Sequence, residues 1–350
     1  MEKLPLETQT LYAQLMENVL AVEARRSIGR LNGCFVTKTV KGSPYFYFQY
    51  SDPGGVIKQV YVGKKDALLE HVVGRFISER EAFKPDAEHL QRLCAQLRAG
   101  GALVTDTASS RVLKALADSG IFRMGAVLVG THAFVVLGNL LGVKWTGSSL
   151  RTHDLDVAAE PSLTVGIHKT AADVPGVLER LEMGFLPVPP LNAKHPSTSF
   201  KVRGKSLRVD LLTPQRHWRK TSPTPIPRFK AAAQPVPYLD YLIEHFERGA
   251  VINGGGVLVN VPHPPRFAFH KLIVSGERDI AGQVKVHKDL LQAAQVFSVL
   301  LEERAGDVMV AWDEIKRRGK GWQRRVSKGL SLMKATYPDE HSQVRALLRK

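Results

Sequence analysis

The chain has 350 residues, 44% hydrophobic and 23% charged, with 49 Lys and Arg against 33 Asp and Glu, a formal charge of +16. Such a length and composition describe a globular protein of two or three domains with a real core, and the basic excess favours a polyanionic partner, nucleic acid first. The two cysteines, Cys34 and Cys94, form no CxxC pair or Cys/His cluster, which leaves no basis for a disulfide framework or a thiolate metal site; both read as reduced, buried thiols of a cytoplasmic protein.

Glu2, Lys3 and Glu7 with no long apolar run are not the pattern of a signal peptide. Residues 6–26 read as an amphipathic helix, with Leu11, Tyr12, Leu15, Met16, Val19 and Leu20 on one side. In "PYFYFQYSDPGGVIKQVYVG" an aromatic strand, an Asp-Pro-Gly-Gly turn and a second strand predict a hairpin. Its rings, Tyr45, Phe46, Tyr47, Phe48 and Tyr50, suit either a small core, by alternate members, or base stacking. Two helices are expected over 65–82 and 86–98, broken by Gly100-Gly101, and another over 107–119 closed by Gly120.

The most apolar window, 125–143, contains His132 and four glycines and reads as a strand–turn–helix rather than a membrane span: "AVLVG" is a buried strand, and the following helix opens at Thr131 as N-cap. Strands follow at 155–159, 198–203 and 207–213, the last two around a Gly204-Lys205 hairpin loop. Proline-dense 221–239 reads as a linker or extended loop, "AVINGGGVLVNVPHP" as a hairpin, and 264–350 as mostly helical and basic.

Within "SSLRTHDLDVAAE", Asp154 and Asp156 fall at strand spacing, so both carboxylates project from one side while Leu155 and Val157 pack inward. Paired carboxylates repel unless a cation neutralises them, and hard cations such as Mg²⁺ take oxygen ligands. Taken alone, such a pair is more often a solvated strand face. Asp210, flanked by Val209 and Leu211 in another strand-like run, supplies a third carboxylate if the strands are neighbours. Three carboxylates hold two divalent ions in the geometry used for displacement at phosphorus. Gly130, ending a buried strand and opening into a helix, suits a phosphate chain.

Taken together, Gly130-Thr131, Asp154-x-Asp156 and Asp210 resemble the polymerase-β-like nucleotidyltransferase superfamily, most closely its bacterial minimal and abortive-infection or toxin-like members. The segment "FHKLIVSGERDIAGQVKVHKDLLQA", 269–293, is similar to the helical region that follows their catalytic domain. The sequence departs from the pattern at Thr131, where Gly or Ser is usual, and in the longer approach "KWTGSSLRTH" to the Asp154 strand.

The resemblance implies an α+β fold: a small mixed β-sheet with flanking helices, preceded by an N-terminal helix plus β-hairpin region and followed by a helical C-terminal domain. The expected boundaries are 1–100, 101–220 for the catalytic domain, 221–240 for the linker and 241–350. It further implies a two-ion site for Mg²⁺ or Mn²⁺ on Asp154, Asp156 and Asp210, with Asp210 taking the acceptor's proton. Gly130, Thr131, Lys271 and Arg278 would bind the triphosphate, with Asp289 a salt-bridge partner for such cations. The reaction would move an NMP from an NTP to a hydroxyl of RNA or protein.

The stretch 315–329, seven Lys and Arg around Trp322, suits RNA contact or a solvated helix with a packed Trp. Lys285 and Lys288 share a helix face, and His153 reads as a loop residue. No Walker A, G-x-S-x-G or HExxH signature is present. Two other readings stand: a nucleic-acid-binding protein that keeps the fold without catalysis, and a toxin or defence component.

Overall fold

Two apolar strands with interspersed carboxylates organise the molecule: Asp154–Ala158 and Arg208–Pro214 lie side by side and parallel. Leu155, Val157, Val209 and Leu211 are at most 1% exposed, so one face of this pair is sealed into the core. The computed structural model describes all residues except 27, 29–30, 32, 52–55, 148–151, 162–171, 191, 193, 218–220, 279–282 and 350.

The central sheet is mixed. Val127–Val129 lies antiparallel to the Asp154 strand, while Ala231–Val236 continues the sheet parallel to the Arg208 strand. Thr224–Ile226 forms the edge beyond it. Ser199–Val202 returns antiparallel to Arg208–Pro214 across the expected Gly204-Lys205 turn, and Phe185–Pro187 pairs with it in turn. The α+β class is therefore the observed one.

The linker expected at 221–240 is corrected: both proline-rich strands of this segment belong to the sheet. Pro225 lies on the edge strand, where a missing N–H costs little, and buried Ala232 and Ala233 pack inward. One hydrophobic core runs from Leu103 to Val344, so the regions before and after this segment share it.

Helices cover the sheet. Thr107–Ser119 is N-capped by Asp106, whose carboxylate accepts from the Ser109 N–H at 2.9 Å, and it ends at left-handed Gly120. Pro264–Glu277, Gln283–Glu303, Ala305–Arg317, Lys320–Thr336 and Pro338–Leu348 form the helical C-terminal region. The hairpin expected around 250–262 is Phe246–Val251 with Val257–Pro262.

At the N-terminal end, Leu6–Ala24 packs Tyr12, Leu15 and Val19 against Leu90, Leu93 and Leu97 of a single helix, Ala67–Ala99. Two helices were expected here; Pro85 lies inside the one observed. A proline removes one i→i−4 hydrogen bond, and burial on the C-terminal side of Pro85 carries the helix past it. A three-stranded antiparallel sheet, Cys34–Val40, Ser43–Ser51 and Ile57–Lys64, precedes that helix. Its last two strands are the expected hairpin, while the Asp-Pro-Gly-Gly turn lies outside the described residues. Cys94 is buried as expected; Cys34 is exposed, because its strand forms a sheet edge. Among the described residues no helix is long and apolar enough to cross a membrane.

Candidate active site

Strand register brings the acidic residues together. Asp210 stands opposite Asp156, and Arg208 opposite Asp154, on the two parallel strands. Asp154 is exposed, whereas Asp156 and Asp210 are half-buried. Burial pushes the Asp156 carboxyl up to about 6, and the neighbouring charges of Asp210 and Asp154 push the same way; Lys271 and Arg208 oppose them. This is how like charges behave when crowded beside a low-dielectric core.

Asp210 already has a protein cation: Arg208 donates from Nε to its Oδ1 at 2.8 Å and to Ser199 Oγ at 2.6 Å. Among the described residues no three acidic, His or Cys side chains are gathered tightly enough to enclose a metal ion. The donor set nonetheless fits a hard divalent cation. It consists of carboxylate oxygens on neighbouring strands, with one carboxyl raised by burial and by its neighbours and another held by an arginine.

Gly130 follows directly from the pairing of Val129 with Asp156. Its φ of +68° is left-handed, and a Cβ built there would lie 2.4 Å from Asp156 Oδ2. Glycine is therefore required twice, for backbone conformation and for the approach of the carboxylate. The helix begins at Gly130 itself, with Val129 as N-cap and no capping side chain. The expected N-cap role of Thr131 is thus corrected: Thr131 is buried inside the first turn, because the chain enters the helix through Gly130. The positive helix end lies beside Asp156, as an anion or metal–phosphate site requires. His132 is buried in the same turn with Nε2 unpartnered, and burial lowers its pKa to about 4, against the pull of Asp106.

Lys271 and Arg278 are joined by one residue. Asp289, 4% exposed on the Gln283–Glu303 helix, accepts from Lys271 Nζ at 2.7 Å through Oδ1 and from Arg278 Nη2 at 2.8 Å through Oδ2. Burial raises the Asp289 pKa, but Lys271 and Arg278 outweigh it and hold the carboxyl below its ordinary value. Lys288, one residue earlier, is half-buried; burial and Lys271 lower its pKa, while Asp289, Asp154 and Asp156 raise it. The cationic and acidic groups thus act on one another across the space between the sheet and the two helices.

The sequence reading named Asp289 only as a salt-bridge partner, and burial makes it the pivot of the cationic group. It placed no role on Arg208, although Arg208 and Asp210 share a strand face at i, i+2 spacing. The expected loop 144–153 lies partly outside the described residues. In 315–329, Trp322 packs against Tyr238 and Tyr241, with centroids 5.3 and 5.8 Å away, and Arg318 pairs with Asp240 and with Glu244, the latter at 2.7 Å. Lys316, Arg317, Lys320, Arg324 and Lys328 remain exposed.

Searches of curated proteins and of solved structures each returned no significant match. A family model described as nucleotidyltransferase matches residues 107–316, which include Gly130, the three aspartates, Lys271, Arg278 and Asp289. The chain belongs to the nucleotidyltransferase family.

Proposed function

We propose that the protein is a divalent-metal-dependent nucleotidyltransferase that moves an NMP from an NTP to a hydroxyl group of RNA or protein and releases pyrophosphate. The observation that carries this reading is the in-register pair Asp156 and Asp210, with Gly130 opening a helix against Asp156. Asp154, Asp156 and Asp210 would hold Mg²⁺ or Mn²⁺, which supplies charge neutralisation for the triphosphate and a more acidic acceptor hydroxyl.

The chain's own residues do the rest. Backbone N–H groups at Gly130 and Thr131 bind phosphate oxygens at the helix start. Lys271 and Arg278, held by Asp289, bind the outer phosphates. The acceptor oxygen forms a bond to the α-phosphorus while the bond from that phosphorus to the α,β-bridging oxygen breaks. Asp210 accepts the hydroxyl proton, and pyrophosphate carries away the leaving electron pair. This is catalysis by position and electrostatics.

The test is transfer of label from each of the four α-³²P NTPs, with Mg²⁺, to RNA, to cell-extract protein and to the chain itself. Transfer by the native chain and none by Asp156→Ala, with the fold retained, is the expected result. A native chain that labels nothing and binds no Mg-NTP by calorimetry overturns the reading and leaves the non-catalytic alternative. The kinship with minimal and abortive-infection members is part of the same proposal, and growth arrest on expression in bacteria, relieved by Asp156→Ala, is its readout.

A further inference from the structure

The three-stranded sheet at the N-terminal end lies outside the matched residues 107–316 and has two unlike faces. Strand alternation sorts its rings. Phe35 and Phe48 turn toward the Ala67–Ala99 helix, with centroids 5.1 and 5.8 Å from Phe76, and Phe46 lies 6.4 Å from Phe35 on the same side. Those phenylalanines, with Phe76 2% exposed, are the core of this unit.

The opposite face carries different chemistry. Tyr61 contacts Tyr45 and Tyr47, with centroids 5.9 and 5.6 Å apart, and Lys38 Nζ lies 5.0 Å over the Tyr47 ring. Gln59 donates to Gln49 at 2.6 Å in the next cross-strand pair. Tyr61 is 56% exposed, and Tyr45 and Tyr47 are half-buried. Lys38 and Lys64 both stand opposite Tyr45 on this face, and the three strands contain no acidic residue; Lys58 stands opposite Tyr50 on the other face, and Lys65, just after the last strand, pairs with Glu70 at 3.3 Å.

We propose that this tyrosine face docks single-stranded RNA. Lys38 and Lys64 on this face complement a phosphate backbone, and partly exposed rings stack on bases only where those bases are unpaired. Tyrosine hydroxyls and the Gln49 and Gln59 amides donate and accept, as recognition of the ribose 2′-hydroxyl requires. The core does not use these tyrosines, since the inner phenylalanines already fill that role.

The test is fluorescence anisotropy of the full chain with a labelled 12-nucleotide RNA of mixed sequence, the same sequence as single-stranded DNA, and an RNA duplex, without NTP or divalent metal. Omitting both separates this result from any failure of the transferase reading. The expected order is single-stranded RNA tightest. Tyr61→Ala and Tyr47→Ala should each weaken RNA binding about tenfold, while Tyr61→Phe, which keeps the ring, retains most of it. Lys38→Ala should reduce the slope of log affinity against log salt by about 0.7. Unchanged binding in Tyr61→Ala and Lys38→Ala would place any RNA elsewhere, for example on 315–329, and overturn the proposal. Equal or tighter binding of the DNA or the duplex would overturn it as well.

Discussion

Asp156 and Asp210 face each other across two parallel strands, and this pairing makes the site unstable to its own charge. The Asp156 pKa of about 6 exceeds its ordinary 3.8, so its contribution to folding is fully present below pH 3.8 and is lost as pH rises through 6. Asp156→Asn should therefore stabilise the fold at pH 8 by on the order of 2 kcal/mol, and by much less at pH 4. Urea melts of both proteins at the two pH values measure it. Adding Mg²⁺ at pH 8 should raise the melting temperature of the native chain but not of Asp156→Asn, and removing it with EDTA should reverse the gain.

Gly130→Ala tests the closeness of the helix start to the carboxylate. The substitution meets a left-handed φ of +68° and a contact of 2.4 Å with Asp156 Oδ2. The backbone cost alone is about 1–2 kcal/mol. In the Asp156→Ala background the contact is gone and only the backbone cost remains, so a double-mutant cycle by denaturant titration should give a coupling of about 1 kcal/mol. Label transfer should fall in Gly130→Ala by at least about a hundredfold, since the shifted carboxylate is part of the reacting geometry.

Asp289 gives the opposite pH signature. Its pKa lies below the ordinary value, so its stability is present above pH 3.8 and is lost as pH falls through the folded value. Asp289→Asn leaves Lys271 and Arg278 without their shared carboxylate and should cost about 3 kcal/mol at pH 7, read from chemical denaturation. On the proposed function it should raise KM for the NTP more than it lowers kcat, because the cations it positions bind the phosphates.

The aspartates were legible in the sequence because strand alternation fixes which side chains share a face, and Leu155, Val157, Val209 and Leu211 announce the buried side. The register of Asp210 against Asp156 was not, because nothing local says which strands are neighbours. The same limit hid Asp289: its charge is visible, but its burial arises only when the Gln283–Glu303 helix meets the Pro264–Glu277 helix. Prolines misled in both directions. The two helices expected on either side of Pro85 are one, and 221–240, expected as a linker or extended loop, places Pro225 on the sheet's edge strand and Pro235 on the strand next to it. Of the aromatic run 45–50, Phe46 and Phe48 form the small core expected of alternate members, while Tyr45 and Tyr47 lie on the other face.

Two buried histidines should make the fold sensitive to mild acid. His270 has both ring nitrogens unpartnered in the core, and burial lowers its pKa to about 3, with Lys271 acting in the same direction; His132 is lowered to about 4. A histidine with a depressed folded pKa contributes stability that is present above its unfolded value of about 6.5 and is lost as pH falls from there. Between pH 7 and pH 5 each should remove about 2 kcal/mol. His270→Leu keeps an apolar side chain of similar bulk in the core, so it should be close to neutral at pH 8. At pH 5 it should be more stable than the native chain by about that amount. Thermal melts at pH 8, 6.5 and 5 read the difference, and equal acid sensitivity of the two proteins would show that His270 does not stay neutral in the fold.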